Sequence, residues 1–170
     1  LNKYRYVALA PQEEIPLENT GMTLTPFFLS HSNPYESTAF LLNNKGNYLL
    51  YLGDTGADSV EHSGKLATLW KHIAPLIKQG VLKGIFIEAS FPDAQPDRLL
   101  FGHFTPKWLM HELSNLNSLT GNAALQKVPV IITHIKPSLD SETKIRQQLK
   151  QANILGLTLL YPKQGVAFQL

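Results

Sequence analysis

The sequence predicts an α/β fold, a mixed β-sheet with helices covering one face. Three observations predict it. The first third of the chain reads as strands joined by turn-rich segments, with apolar runs bounded by Pro, Asn and Gly. From about residue 65 the pattern changes to helix-spaced apolar residues alternating with short, wholly apolar runs. The 170 residues carry 44% hydrophobic and 16% charged side chains, a globular composition large enough for one sizeable core.

Tyr4 to Ala10 reads as a strand ended by Pro11, and Gln12 to Thr20, with Glu13, Glu14, Pro16 and Asn19, as a loop. Met22 to Leu29 is a strand that stops near His31, before the turn residues Ser32-Asn33-Pro34-Tyr35. Ser37 to Leu42 and Tyr48 to Leu52 form a hairpin, because the segment Asn43 to Asn47 contains residues that tolerate positive φ. Leu66, Leu69, Trp70, Ile73, Leu76 and Ile77 are helically spaced; Pro75 should kink that helix and Gly80 should stop it. Gly84 to Ile87 is a buried strand. Thr105-Pro106 is an N-cap and first-turn pair for a helix carrying Leu109, Leu113 and Leu116, which Gly121 ends. Val128 to Thr133 is another buried strand. Asp140 or Ser141 opens a helix carrying Ile145 and Leu149, and Leu157 to Tyr161 with Val166 to Leu170 closes the chain as a hairpin. No repeat, low-complexity tract or linker divides the chain, so residues 1–170 are one domain.

The bulk composition excludes several classes. The formal charge is +2 without a run of Lys or Arg, so the basic stripe of a nucleic-acid binder is missing. No stretch reaches the roughly 20 apolar residues of a spanning helix, so no membrane partner is expected. There are no cysteines, which excludes disulfides, a thiol nucleophile and Cys-ligated zinc. No signal peptide lies within the chain, and its first residue is Leu1, which leads to the expectation of a processed or truncated product.

Three strand ends present a polar residue directly after an apolar run: Asp54 after Tyr48 to Gly53, Glu88 after Ile85 to Ile87, and His134 after Val130 to Thr133. Active sites of layered α/β proteins gather where several strands deliver side chains to one edge. Two acids and an imidazole, with His103 in a loop before a helix, point to a metal site or to acid–base chemistry. His62, His72 and His111 lie on or beside helices and read as surface residues. Asp58 is placed to order the loop after Asp54, and Phe104 and Trp108 as packing residues beside His103.

Four short motifs then occur in order: Gly53-Asp54-Thr55-Gly56, Glu88-Ala89-Ser90-Phe91, Phe101-Gly102-His103-Phe104-Thr105-Pro106 and Thr133-His134-Ile135-Lys136-Pro137. Together they resemble the class II cyclic-nucleotide phosphodiesterases. The second and third are also similar to segments of ribonuclease Z, which shares the same fold. The resemblance implies the carboxy-terminal half of a metallo-β-lactamase-like αββα sandwich, and hydrolysis of 3′,5′-cyclic nucleotides, cyclic AMP foremost, to 5′-monophosphates by two divalent metal ions, zinc or else manganese. By position, Asp54 matches the carboxylate that bridges the metals and His134 a late histidine ligand. His103 matches a non-ligand histidine facing the scissile phosphate, and Glu88 its carboxylate partner. A carboxylate beside an imidazole fixes its tautomer and favours the imidazolium, which can donate to a leaving oxygen. His31, in Leu29-Ser30-His31-Ser32, is a substrate-pocket residue at most.

The same resemblance implies a His-x-His-x-Asp-His cluster upstream, and this chain has none. Zinc normally takes three or four protein ligands, so most of the metal ligands are expected on a missing amino-terminal half, and the 170 residues alone should be inactive. The sheet face that half would cover should favour association, so a homodimer is possible chemistry for the isolated chain. A periplasmic location is expected, with the cytoplasm as the alternative. The rival readings are another metal-dependent phosphodiesterase or nuclease of the same fold, and a non-catalytic binding domain.

Overall fold

The computed structural model describes residues 6–138 and 140–170. They form a mixed seven-stranded sheet in the order β1 to β7. β1 (Ile15–Leu17), β2 (Met22–Ser30), β3 (Glu36–Asn44) and β4 (Asn47–Tyr51) make an antiparallel meander. β4, β5 (Leu82–Glu88), β6 (Val130–Thr133) and β7 (Leu159–Leu160) are parallel to one another. Parallel neighbours need crossovers, and helices supply them. α1 (Asp58–Glu61) and α2 (Lys65–Lys78) link β4 to β5, α3 (Pro106–Thr120) and α4 (Asn122–Leu125) link β5 to β6, and α5 (Ser141–Ala152) links β6 to β7.

Register explains the two faces. Leu41, Leu50, Ile85, Val130 and Leu159 pair in one row across the sheet, and Phe40, Tyr51, Phe86, Ile131 and Leu160 in the next. Side chains alternate along a strand, so the first row faces the helices and the second faces away. Trp70 and Ile73 of α2, Leu109, Leu113 and Leu116 of α3, and Ile145 and Leu149 of α5 complete the core over the first row. Each such fully buried aliphatic side chain contributes about 1.5–3 kcal/mol. On the other face Phe28 and Tyr51 are exposed, and Phe168 packs its ring 6.2 Å from that of Phe86.

Local chemistry sets the element ends. The β3–β4 hairpin turns on Lys45 (φ 52°) and Gly46 (φ 83°), and the Asn43 side-chain oxygen accepts the Gly46 N–H at 2.9 Å. α2 stops as expected at Gly80 (φ 72°): the Gly80 N–H bonds the Ile77 carbonyl and the Val81 N–H that of Leu76. It also continues through Pro75, which is exposed. Thr105 caps α3 through the Trp108 N–H, with Pro106 in the first turn. Glu112, buried in the middle of α3, accepts the Trp70 indole N–H and the Asp58 backbone N–H, both at 3.1 Å, and so ties α1, α2 and α3 together.

Three sequence expectations need correction. Tyr4 and Arg5 lie outside the described residues, and 6–10 are irregular rather than a strand. The expected loop from Gln12 to Thr20 contains β1, because Ile15, Pro16 and Leu17 pair with Leu24, Thr23 and Met22. The closing hairpin does not form: only Leu159 and Leu160 are strand, and they pair parallel to β6. Residues 166–170 instead lie against the outer face, with Leu170 over Gly84 and the Phe168 ring beside that of Phe86.

Candidate active site

The carboxyl edge of the parallel strands gathers the polar residues. Glu88 ends β5, Asp54 follows β4 by three residues and His134 follows β6 by one. Glu88 is 1% exposed, and a carboxylate so buried needs donors. It has four: the Thr55 N–H at 2.8 Å, the His103 Nδ1–H at 2.9 and 3.0 Å to its two oxygens, the Phe104 N–H at 3.4 Å and the Ser90 hydroxyl. A solvated strand end is therefore not what Glu88 is.

His103 is 6% exposed and sits in a cage of rings. His134 stacks on it at 5.3 Å between centroids, while His31 and Phe91 meet it edge-on at 5.0 and 5.8 Å. With Nδ1 committed to Glu88, Nε2 is the nitrogen left for chemistry. Asp54 and His134 are more open, at 40% and 41% side-chain exposure, and His134 Nε2 lies 3.6 Å from Asp54 Oδ1.

His31 is bound more closely into the site than a peripheral pocket residue would be. Its Nδ1 contacts the Gly102 carbonyl at 3.1 Å, the arrangement that leaves Nε2 as a ligand or acceptor. One donor atom each from His31, Asp54 and His103 lies within 4.8 Å of the others. Two imidazoles, a carboxylate and the adjoining His134 form a mixed nitrogen–oxygen set that suits zinc or manganese, so the residues present fit a divalent ion.

Loops under constraint build this geometry. Ser32, Phe101, Gly102 and His134 all have φ between 51° and 77°. For His134 (φ 54°) that conformation is held by the Lys136 N–H on the Ser90 carbonyl at 3.2 Å, with the Ser90 hydroxyl oxygen 2.9 Å from the His134 carbonyl. The His31 loop is bolted to the Gly53–Gly56 loop. Thr55 donates its hydroxyl to the Ser30 carbonyl at 3.0 Å, and buried Glu61 accepts the Ser30 hydroxyl and the Asn33 N–H, both at 3.0 Å. At Gly102 (φ 77°) a Cβ would come within 2.3 Å of the Ser32 backbone nitrogen. Gly102→Ala should therefore destabilise the fold by at least about 2 kcal/mol and misplace both His31 and His103, read as a lower Tm with reduced activity.

Sequence reasoning missed Ser90, Thr55 and Glu61. Their signals were present for the first two, since both belong to the recurring motifs, but hydroxyls and a helix glutamate carry no chemistry until their partners are known. Asp58 does order its surroundings: its carboxylate accepts the Leu66 N–H at 3.1 Å and the Ala67 N–H at 2.8 Å, capping α2 where Gly64 offers no side chain. His62, His72 and His111 are exposed, as expected. Phe104 is core, and Trp108 bonds Asp97 through its indole N–H at 2.8 Å.

Comparison with known proteins identifies the family. The family described as cAMP phosphodiesterases class-II matches residues 3–165. The chain is 43% identical to a 3′,5′-cyclic-nucleotide phosphodiesterase of Aliivibrio fischeri, covering 99% of this chain and 52% of that protein. It is 34% identical to 3′,5′-cyclic-nucleotide phosphodiesterase 1 of Saccharomyces cerevisiae, covering 96% and 49%. Its fold matches the crystal structure of unliganded yeast PDE1 with a TM-score of 0.82 at 27% identity, over 92% of this chain and 48% of that one. A metallo-β-lactamase fold protein, YhfI of Bacillus subtilis, matches with a TM-score of 0.61 at 16% identity, over 94% and 54%. The chain thus spans about half the length of the relatives it matches. The mixed sheet with one layer of helices is a partial metallo-β-lactamase fold. With its profile matched almost end to end, this chain belongs to the class-II cAMP phosphodiesterases.

Proposed function

We propose that the full-length protein hydrolyses 3′,5′-cyclic nucleotides, cyclic AMP among them, to 5′-monophosphates. The observation that carries this reading is the buried Glu88–His103 pair set beside Asp54 and His134. Water adds to phosphorus, the bond from phosphorus to the 3′-oxygen breaks, and the 3′-oxygen takes a proton. His103 Nε2 is the donor in this reading. Glu88 holds the ring through Nδ1, which leaves Nε2 directed at the leaving oxygen. Asp54 and His134 hold metal, with His31 a further candidate ligand and the remaining ligands outside these 170 residues. Divalent ions there, zinc or manganese, supply charge to polarise the phosphodiester and lower the pKa of water. The exclusion of solvent around His103 keeps its proton directed at the leaving oxygen.

The relatives' double length and the exposed outer sheet face support a covering amino-terminal half, and a homodimer would bury the same kind of surface. A periplasmic location suits a cysteine-free sequence, and cell fractionation tests it.

A second reading has one observation in its favour. The clustering of His31, Asp54 and His103 donor atoms suits His103 as a ligand, since Glu88 would then be the outer carboxylate that orients it. The two readings differ in what His103→Ala does to bound metal.

The functional reading is tested by incubating the purified full-length protein with cyclic AMP. Formation of 5′-AMP, loss of turnover after chelation and recovery with zinc or manganese are expected. Bound metal without turnover of any cyclic nucleotide would move the assignment to another phosphodiester. A protein that binds no metal would leave a binding domain.

A further inference from the structure

β4, β5 and β6 hand Asp54, Glu88 and His134 to the carboxyl edge, but the parallel set has a fourth member. β7 pairs Leu159 with Val130 and Leu160 with Ile131, so Tyr161 emerges at the same edge, one strand beyond His134. Tyr161 and His134 both line a cavity of about 760 Å³, together with Lys136, Arg146 and Lys163. Small-molecule sites typically measure ~300–1,000 Å³. The cavity on the opposite flank, beside Gly102 and Glu61, is smaller, about 220 Å³.

The wall of the larger cavity has the chemistry of a nucleotide site. The Arg146 guanidinium stacks on the Tyr161 ring at 4.1 Å, and its charge is already paired with Glu142 at 2.6 Å. Lys136 and Lys163 have no ion-pair partner among the described residues. Lys136 lies two residues beyond His134, on the segment held to Ser90. The cavity thus offers a planar stack at one end and free positive charge towards the site.

We propose that this cavity receives the nucleoside of a purine 3′,5′-cyclic nucleotide, with the base against the Tyr161–Arg146 stack and the phosphate led towards His103 past Lys136. The proposal rests on the reading of the protein as a cyclic-nucleotide phosphodiesterase. Burial pushes the Tyr161 hydroxyl up, outweighing the lowering by Arg146, so the ring meets an anionic substrate as a neutral phenol.

The test uses the full-length protein and two substrates, cyclic AMP and methyl riboside 3,5-cyclic phosphate, which has the same sugar and phosphodiester but no base. Base–aromatic stacking is worth about 5–150-fold. Tyr161→Ala is expected to reduce the preference for cyclic AMP over the base-free substrate by that factor, chiefly through KM, and Tyr161→Phe is expected to restore it by returning the ring. An unchanged preference in Tyr161→Ala, or equal losses on both substrates, would overturn the proposal. So would a Phe variant as impaired as the Ala variant. An unmodified protein that turns over neither substrate would instead refute the phosphodiesterase reading and the site with it.

Discussion

His103→Ala in the full-length protein is expected to lower kcat for cyclic AMP by about 10²–10⁴-fold, the usual contribution of a positioned general acid. The 3′-oxygen is an alkoxide leaving group and needs a proton as it departs. His103 is the buried imidazole whose Nδ1 is held at 2.9 Å by Glu88, which leaves Nε2 to supply that proton. The effect should depend on the leaving group. With bis(p-nitrophenyl) phosphate, whose phenolate departs unprotonated, the loss should shrink to within about tenfold. Equal losses on both substrates would mean that His103 acts by some means other than proton donation.

Glu88→Gln separates charge from shape. An amide nitrogen at the Oε2 position can donate to the Ser90 hydroxyl oxygen, whose own proton then serves the His134 carbonyl at 2.9 Å. Oε1 keeps the Thr55 N–H and the His103 Nδ1–H, and the long Phe104 N–H contact at 3.4 Å is the one donor left without its acceptor. The variant is therefore expected to fold, with kcat lowered about 10–100-fold, the scale on which an orienting partner matters. Thermal unfolding and turnover measured side by side check it, and a lost fold would contradict the exchange of partners.

Removing His134 acts on a different term. His134→Ala is expected to lower kcat/KM for cyclic AMP by about 10³-fold or more, corresponding to the several kcal/mol of charge stabilisation that a bound ion gives. Asp54→Asn should do the same, because it removes the carboxylate charge 3.6 Å from His134 Nε2. Both losses should be accompanied by loss of at least one metal equivalent, read by elemental analysis of the purified variants. Neither residue lies in the packed core, and each is about 40% exposed, so stability should change little beyond what the metal itself contributes. A variant that retains full metal and full activity would remove that residue from the ligand set.

Much of this site was legible because parallel strands end in register. An apolar run that stops at a charged residue marks the carboxyl edge, and Asp54, Glu88 and His134 each showed that mark. His103 showed less, and it was found through the Thr105–Pro106 helix start that follows it and the motif around it. His31 was undervalued. Its strand end is antiparallel, and only the Gly102 carbonyl, 71 residues away, reveals that it turns into the site. Ser90 and Thr55 stood inside two of the motifs, but their role, like that of Glu61, was not readable, since it consists of hydrogen bonds between segments distant in sequence. Tyr161 was read as a hairpin residue because alternation alone does not tell an edge strand that pairs parallel from one that pairs with its own tail. β2, β3, β4, α2, α3 and α5 were readable from periodicity and end signals. The Gln12 to Thr20 segment was not, because Pro16 argues against a strand except at a sheet edge, which is where β1 lies.

The measurement that bears most directly on the division of labour at this site is the metal content of His103→Ala beside that of His134→Ala, in the full-length protein, with cyclic AMP turnover measured on the same samples. The account predicts that both variants lose turnover, that His134→Ala loses metal, and that His103→Ala keeps it. Metal lost from His103→Ala and retained in His134→Ala would contradict it, and would make the histidine held by Glu88 a ligand instead of the acid.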